Sequence, residues 1–305
     1  MHVSAWLVAA ALVIGLSTSI TAQAPAPDDQ QPTFRSRVEV VTIAAVVRDK
    51  TGRVVQTLTK NDFTVLDGGE SRPIVEFQPD TNGPISVALL MDGSGSMRHL
   101  SSTSRRAAET LFTLLNERSD DVALMSFDTR LLTLRRFTND FQQLRTGLAE
   151  LETWGATSIY DAIAGAAGIV DEHTHKRRAV LVVTDCADNW STYSAQEVAW
   201  IASTIDVPVY VLAVGAAATR SADARAIGGE LGDLARATGG DYYAADSETR
   251  QAMALGRIIE DLRHQYLIAI EPARSSGLRS LEIRTGKSSH KVGARQWYAA
   301  RSDDD

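Results

Sequence analysis

Side-chain oxygens read as chemistry when their spacing aims them the same way. In Asp92-Gly93-Ser94-Gly95-Ser96 a carboxylate and two hydroxyls occupy alternate positions, and the intervening glycines let the backbone turn sharply. Two further oxygen donors stand at comparable places. Thr157 lies in Gly155-Ala156-Thr157-Ser158, just ahead of a helical pattern, and Asp185 follows the apolar run Val180 to Thr184. Two carboxylates with three hydroxyls, and neither His nor Cys, suit a hard cation. Mg²⁺ accepts so sparse a set because it keeps waters in an octahedral shell; Mn²⁺ and Ca²⁺ are the alternatives. Neutral hydroxyls leave such an ion electrophilic, and an open position would take a carboxylate from a partner. No general base is evident beside the set, so the arrangement suits binding more than catalysis.

Plainer readings compete. Ser and Asp favour helix N-caps, so Asp92, Ser94, Ser96 and Thr157 would each serve as caps, and Asp185 as a turn residue. Caps need no matching donors on other segments, and here three segments supply them. Asp161 belongs to the first turn of a helix, where a carboxylate meets the dipole, and Asp128 to a turn. Gly93-x-Gly95 lacks the third glycine of a dinucleotide fingerprint, since Arg98 takes its place. Neither serine has the Gly-x-Ser-x-Gly spacing of a hydrolase elbow. His173 and His175, beside Lys176-Arg177-Arg178, suit a helix C-terminus better than a metal. Cys186 reads as a small buried hydrophobe. The alternatives to a binding module are a metal-assisted hydrolase, for which His99 is the only nearby base, and a structural envelope protein whose metal merely stiffens it.

Positioning the set requires a sheet whose strands end together. From Pro84 onward apolar strands alternate with amphipathic helices: Ile85 to Met91, Val122 to Phe127, Ala179 to Val183 and Val207 to Val214 are strands, and Leu131 to Phe137 a polar-alternating edge strand. Helices are expected at Ser101 to Asn116, Phe141 to Leu151, Ile159 to His173, Ala195 to Ile205, Glu230 to Thr238 and Glu248 to Leu262. This rhythm predicts an α/β fold, a doubly wound, mostly parallel central sheet with helices on both faces. Ligands of such folds sit at the carboxyl ends of the strands, where Asp92, Thr157 and Asp185 fall.

Both flanks are β-rich. Val38 to Val47, Val54-Val55, Phe63 to Leu66 and Ile74 to Phe77 read as strands of a small β-sandwich, and the tail turns β again at Tyr266 to Ile270, Ser280 to Arg284 and Ala294 to Tyr298. Pairing of the two flanks gives one β unit from both chain ends. The expected organisation is a signal peptide at 1–24, a linker at 25–33, an N-terminal β segment at 34–82, the α/β domain at 83–265 and a C-terminal β segment at 266–302, with Asp303 to Asp305 as a frayed end.

Composition bounds the class. The chain has 305 residues, 44% of them hydrophobic, enough for a large core. A net charge of −7 argues against nucleic acid, which demands a clustered basic face. A single cysteine excludes an intramolecular disulfide. Trp6 to Leu16 is an apolar run too short to span a bilayer, and Ala22-Gln23-Ala24 has the form of a cleavage site. An exported protein is expected, periplasmic or secreted, or anchored if the segment stays uncleaved. No later segment is long and apolar enough to cross a membrane.

Taken together, Asp92-x-Ser94-x-Ser96, the Gly155-Ala156-Thr157 loop and Thr184-Asp185 resemble the metal-ion-dependent adhesion site of von Willebrand factor A domains. The resemblance covers residues 83–265, and Ile159-Tyr160-Asp161-Ala162-Ile163 adds to it. The flanks are similar to those of a bacterial exported subgroup in which a phrase like Leu58-Thr59-Lys60-Asn61-Asp62-Phe63 precedes the domain. The resemblance implies direct ligation by Ser94 and Ser96, ligation by Thr157 directly or through water, and ligation mostly through water by Asp92 and Asp185. It implies a protein ligand held through a carboxylate, and no enzyme activity. One departure stands out: Cys186 occupies a place where the family usually has glycine.

Overall fold

The computed structural model of the chain describes residues 40–173, 177–215, 222–273 and 275–300. The expected signal peptide and linker, the start of the first expected strand, His175 and the acidic end Asp303 to Asp305 lie outside the described residues.

The chain enters through β1 (Val41–Arg48), β2 (Phe63–Asp67), β3 (Glu70–Arg72) and β4 (Ile74–Thr81). It then builds the expected alternation: β5 (Ile85–Asp92), α1 (Ser101–Leu114), β6 (Asp121–Phe127), β7 (Leu131–Thr138), α2 (Phe141–Ala149), α3 (Ile159–Asp171), β8 (Arg177–Thr184), α4 (Ala195–Thr204), β9 (Val209–Val214), α5 (Ala222–Ala237), β10 (Tyr242–Ala245) and α6 (Glu248–Arg263). It leaves through β11 (His264–Ile270), β12 (Gly277–Thr285), β13 (Lys291–Gly293) and β14 (Trp297–Ala300).

Six strands form the central sheet in the order β10-β9-β8-β5-β6-β7. All neighbours run parallel except β7, which pairs with β6 antiparallel and has no buried residue. All eight residues of β5 are buried, as the continuous apolar run requires of a strand covered on both faces. Its side chains alternate between two cores. Val87, Leu89 and Met91 face a cluster with Leu111, Phe112, Phe141 and Ile258; Ala88 and Leu90 face one with Ile163, Ala166, Val198 and Leu234. This is a doubly wound α/β fold.

The flanking strands make two further four-stranded sheets, β13-β1-β11-β4 and β14-β12-β2-β3. β11 lies between β1 and β4, antiparallel to both, with Ile43 opposite Ile268 and Phe77 opposite Ile268 on the other side. β12 pairs with β2, placing Ile283 opposite Val65. A shared core of Ile43, Val47, Val65, Ile268, Ile283 and Tyr298 closes between them. Phe63, Phe77 and Tyr266 meet within it at ring-centroid separations of 5.1–5.6 Å.

Three local expectations are corrected. Val54-Val55 does not begin a strand: Val54 forms only an isolated bridge to Arg48. The preceding turn is wound around the Asp49 carboxylate, which accepts from the Thr51 and Arg53 backbone N–H groups, and after it a single further bond, Val55 N–H to Val47 O, follows β1. α5 begins at Ala222, eight residues before the expected Glu230. Two glycines, weak helix formers, lie inside it: a Cβ on Gly228 would stand 2.8 Å from the Tyr242 hydroxyl, whereas Gly229 has open space beside it. The third is the last strand, expected at Ala294 to Tyr298: it runs Trp297–Ala300, and the short β13, Lys291–Gly293, precedes it.

Candidate functional site

β5 delivers Asp92 to the end of the sheet, where it is buried beside the ends of β6 and β8: Asp92 is in register with Phe127, and Met91 with Val183. Among the described residues the Asp92 carboxylate meets only neutral donors. The Ser94 backbone N–H donates to Oδ1 at 2.9 Å, and the Thr184 hydroxyl to Oδ2 at 2.6 Å. The Cys186 N–H in turn donates to the Thr184 hydroxyl at 3.1 Å. Burial pushes the Asp92 carboxyl up to about 6, against these hydrogen bonds, which favour the ionised form.

Ser94 and Ser96 stand side by side, with their Oγ atoms 3.0 Å apart. Ser94 is buried and Ser96 exposed. Ser94 occupies the N-cap position of a 3-10 turn, Gly95–His99, yet its side chain makes no capping hydrogen bond. Ser158, not Thr157, is the N-cap of α3, and it too makes no side-chain cap. The capping reading of these hydroxyls therefore fails on geometry.

Backbone hydrogen bonds stitch the three loops together. The Gly93 N–H donates to Phe127 O at 2.8 Å, the Trp154 N–H to Gly93 O at 2.7 Å and the Gly95 N–H to Gly155 O at 3.1 Å. Gly155 has a φ of +74°, the left-handed region that a side chain would disfavour. Two residues on, Thr157 is buried, its N–H donating to Asn189 Oδ1 at 2.9 Å while its carbonyl accepts from the Asn189 and Trp190 N–H groups. Asp185 follows β8 with its side chain largely buried, and its Oδ1 accepts from the Ala187 N–H at 3.3 Å.

Cys186 has φ +64°, which accounts for glycine being the easier residue at this place. Its thiol is buried, 3.5 Å from the Tyr242 hydroxyl, and burial pushes it up to about 11. Asp128 Oδ1 accepts from the Arg130 N–H at 2.9 Å, as a turn residue should, and its carbonyl accepts from the Ser158 N–H. Asp161 does more than meet a helix dipole: it accepts from the Thr192 and Tyr193 N–H groups, clamping the loop after β8. His173 Nε2 lies 2.9 Å from Asp121 and its ring stacks on Phe137 at the far end of α3. His99 is exposed at the end of the 3-10 turn.

The donor set fits a hard cation. Among the described residues no three His, Cys, Asp or Glu side chains cluster as a ligand group, so a cation here would depend on hydroxyls. Asp92 is a buried carboxylate without a cationic side chain bonded to it, and the hydroxyl pair of Ser94 and Ser96 stands two and four residues further along the same loop. Sequence reading missed the supports: Thr184 under Asp92, and Asp188, Asn189 and Ser191 bracing the start of α3. The Ile159 N–H donates to Asp188 Oδ1 at 2.7 Å and the Tyr160 N–H to Ser191 Oγ at 3.0 Å. The cluster Asp188-Asn189-Trp190-Ser191 carries an Asx/Ser turn signal that points to such a role.

A sequence model of the von Willebrand factor type A domain matches residues 87–187, which hold every donor described above. Residues 87–187 form a von Willebrand factor type A domain. Solved structures are similar to this chain at low identity. A mutant of the PilB minor pilin from Streptococcus sanguinis is 13% identical, with 64% of this chain and 64% of that chain covered and a TM-score of 0.50. BatB from Bacteroides thetaiotaomicron is 20% identical over 58% of this chain and 98% of that chain, at a TM-score of 0.49. A von Willebrand factor type A protein from Catenulispora acidiphila is 12% identical, with 89% of this chain and 76% of that chain covered, at a TM-score of 0.49. No curated protein matches in sequence. Among the described residues, no helix of this A-domain protein is long and apolar enough to cross a membrane.

Proposed function

We propose that this A domain is a metal-dependent protein-binding or adhesion module of an exported protein, periplasmic or secreted. Asp92, Ser94, Ser96, Thr157 and Asp185 would hold one divalent cation, Mg²⁺ foremost, and the cation would supply a Lewis-acidic position for a carboxylate of the partner. The observation that carries this reading is the convergence of three loops, bound to one another through backbone hydrogen bonds, around a buried carboxylate and a hydroxyl pair.

The chain's own residues set what the site can do. Thr184 and the Ser94 N–H fix both oxygens of Asp92, and the Asn189 amide with the carbonyl of Thr157 fixes the second loop, so the donors are held before anything binds. Such pre-organisation favours binding without a conformational cost. We read the domain as a binder and not a hydrolase: His99, the only base near the motif in sequence, stands on an exposed turn rather than braced by a carboxylate in a cleft.

Thermal unfolding of the full chain with and without Mg²⁺ or Mn²⁺ tests the reading. A cation that binds the folded state raises the melting temperature with concentration, and Asp92→Ala and Ser96→Ala should abolish the rise while leaving a folded protein. A rise of the same size in both variants would place the cation elsewhere.

A further inference from the structure

Three aromatic side chains lie open to solvent among the described residues: Trp154 at 65%, Trp190 at 64% and Tyr193 at 45%. All three stand on the loops that carry the proposed cation donors. The remaining aromatic side chains with a described environment are buried or half-buried. Trp154 is tied to the first loop by its N–H on Gly93 O at 2.7 Å, and Trp190 to the second by its N–H on Thr157 O at 3.1 Å. Tyr193 is fixed through its N–H on Asp161 Oδ1 at 2.9 Å. Each ring is thus mounted on a backbone that the donor loops themselves hold, while its side chain adds little to the core.

Placing large apolar rings in water is unfavourable. Their confinement to one rim therefore points to contact with something. Tryptophan and tyrosine are the side chains that most often dominate binding energy at protein interfaces. Arg98, exposed on the turn directly after Ser96, supplies a positive charge beside the motif. Side chains that would grip sugar hydroxyls are otherwise engaged. Asp128, Asp161, Asp188 and Asn189 all accept backbone N–H groups of these loops.

We propose that Trp154, Trp190 and Tyr193 form an aromatic rim that grips apolar side chains on either side of the acidic residue presented by a protein partner. The partner's recognition element is then a peptide segment with Asp or Glu flanked by large apolar residues. The cation takes the carboxylate and the rim reads its neighbours, so specificity resides in Trp154 and Trp190. This inference rests on the proposed cation site.

The test uses the full chain and an immobilised array of short peptides with a central Asp flanked by Leu, Phe, Ser or Lys, with polygalacturonate as an acidic carbohydrate control. Mg²⁺ affinity is measured in parallel by calorimetry. The expected result is Mg²⁺-dependent binding of the Leu- and Phe-flanked peptides. Trp154→Ala and Trp190→Ala should each weaken it about tenfold or more, with Mg²⁺ affinity and melting temperature unchanged. Tryptophan variants that bind these peptides as well as the wild type would overturn the inference and leave the cation site standing. Wild type that binds Mg²⁺ but holds only polygalacturonate, or none of the peptides, would overturn it equally. Wild type that binds no Mg²⁺ would take down the cation site and the inference together.

Discussion

Thr184 supports the buried half of the site. Its hydroxyl donates to Asp92 and accepts from the Cys186 N–H, so one side chain satisfies a carboxylate and a backbone group at once. Thr184→Val keeps the shape and removes both bonds, leaving Asp92 a donor short. The expected loss is about 1–3 kcal/mol in a denaturant titration, with Thr184→Ser close to wild type. A Val variant as stable as the wild type would show that the hydroxyl contributes nothing. Cys186 makes a second residue-scale prediction. At φ +64° a β-branched side chain is strained, so Cys186→Val should be less stable than Cys186→Gly by about 1–2 kcal/mol or more. The native thiol, buried and held protonated, should resist iodoacetamide at mildly alkaline pH until the protein is unfolded. The donors themselves were legible in sequence because they recur at alternate positions right after apolar runs. Thr184 was visible as part of the Thr184-Asp185 motif, but its bond to Asp92 was not, since which neighbour a strand hydroxyl faces is decided by the sheet. Nor could sequence distinguish the exposed Trp154 and Trp190 from the half-buried Trp200 and Trp297.

At the scale of elements, the central strands were readable because a parallel strand covered on both faces needs an apolar middle, as Val87 to Met91 of β5, Ala179 to Val183 of β8 and all of β9 supply. Sequence failed where local signals contradict packing. Gly228-Gly229 conceals the first half of α5, and a three-residue strand such as β13 has no periodicity to detect. The junction between α6 and β1 was equally invisible. There Asp261 receives Arg48 at 2.7 Å, with Glu260 alongside and Tyr210, Tyr243 and Asp241 around it. Near-complete burial outweighs the guanidinium and pushes the Asp261 carboxyl up to about 7, while Arg48, only half buried and paired with two carboxylates, is raised too. A carboxyl raised in the folded state binds more protons folded than unfolded. Its contribution to stability is therefore full below its unfolded value and is lost as pH rises from about 4 through about 7. Asp261→Asn should flatten that part of the curve of melting temperature against pH. An unchanged slope would mean that Arg48 already keeps Asp261 ionised across the range.

Across the whole molecule, one compact unit runs from residue 38 onward, and its β-sandwich is sewn from both flanks of the A domain. The register makes the flanks interdependent, because β11 is the partner that β1 and β4 share. Removing residues 266–300 should leave β1 and β4 without the strand they share and β2 paired only with β3, all open to limited proteolysis, while the α/β sheet, whose strands all lie between residues 85 and 245, persists as a protected fragment. Equal protection of the N-terminal strands in the shortened chain would contradict the shared sheet. Anchored at both ends in this way, the A domain presents the carboxyl edge of its sheet as a rigid face, and the account stands on what that face binds. The direct measurement is calorimetric titration of Mg²⁺ into the metal-free protein, with Asp92→Ala beside it. The account predicts saturable one-site binding in the wild type and none in the variant. Heat of binding that survives unchanged in Asp92→Ala, or no binding in the wild type, would contradict it.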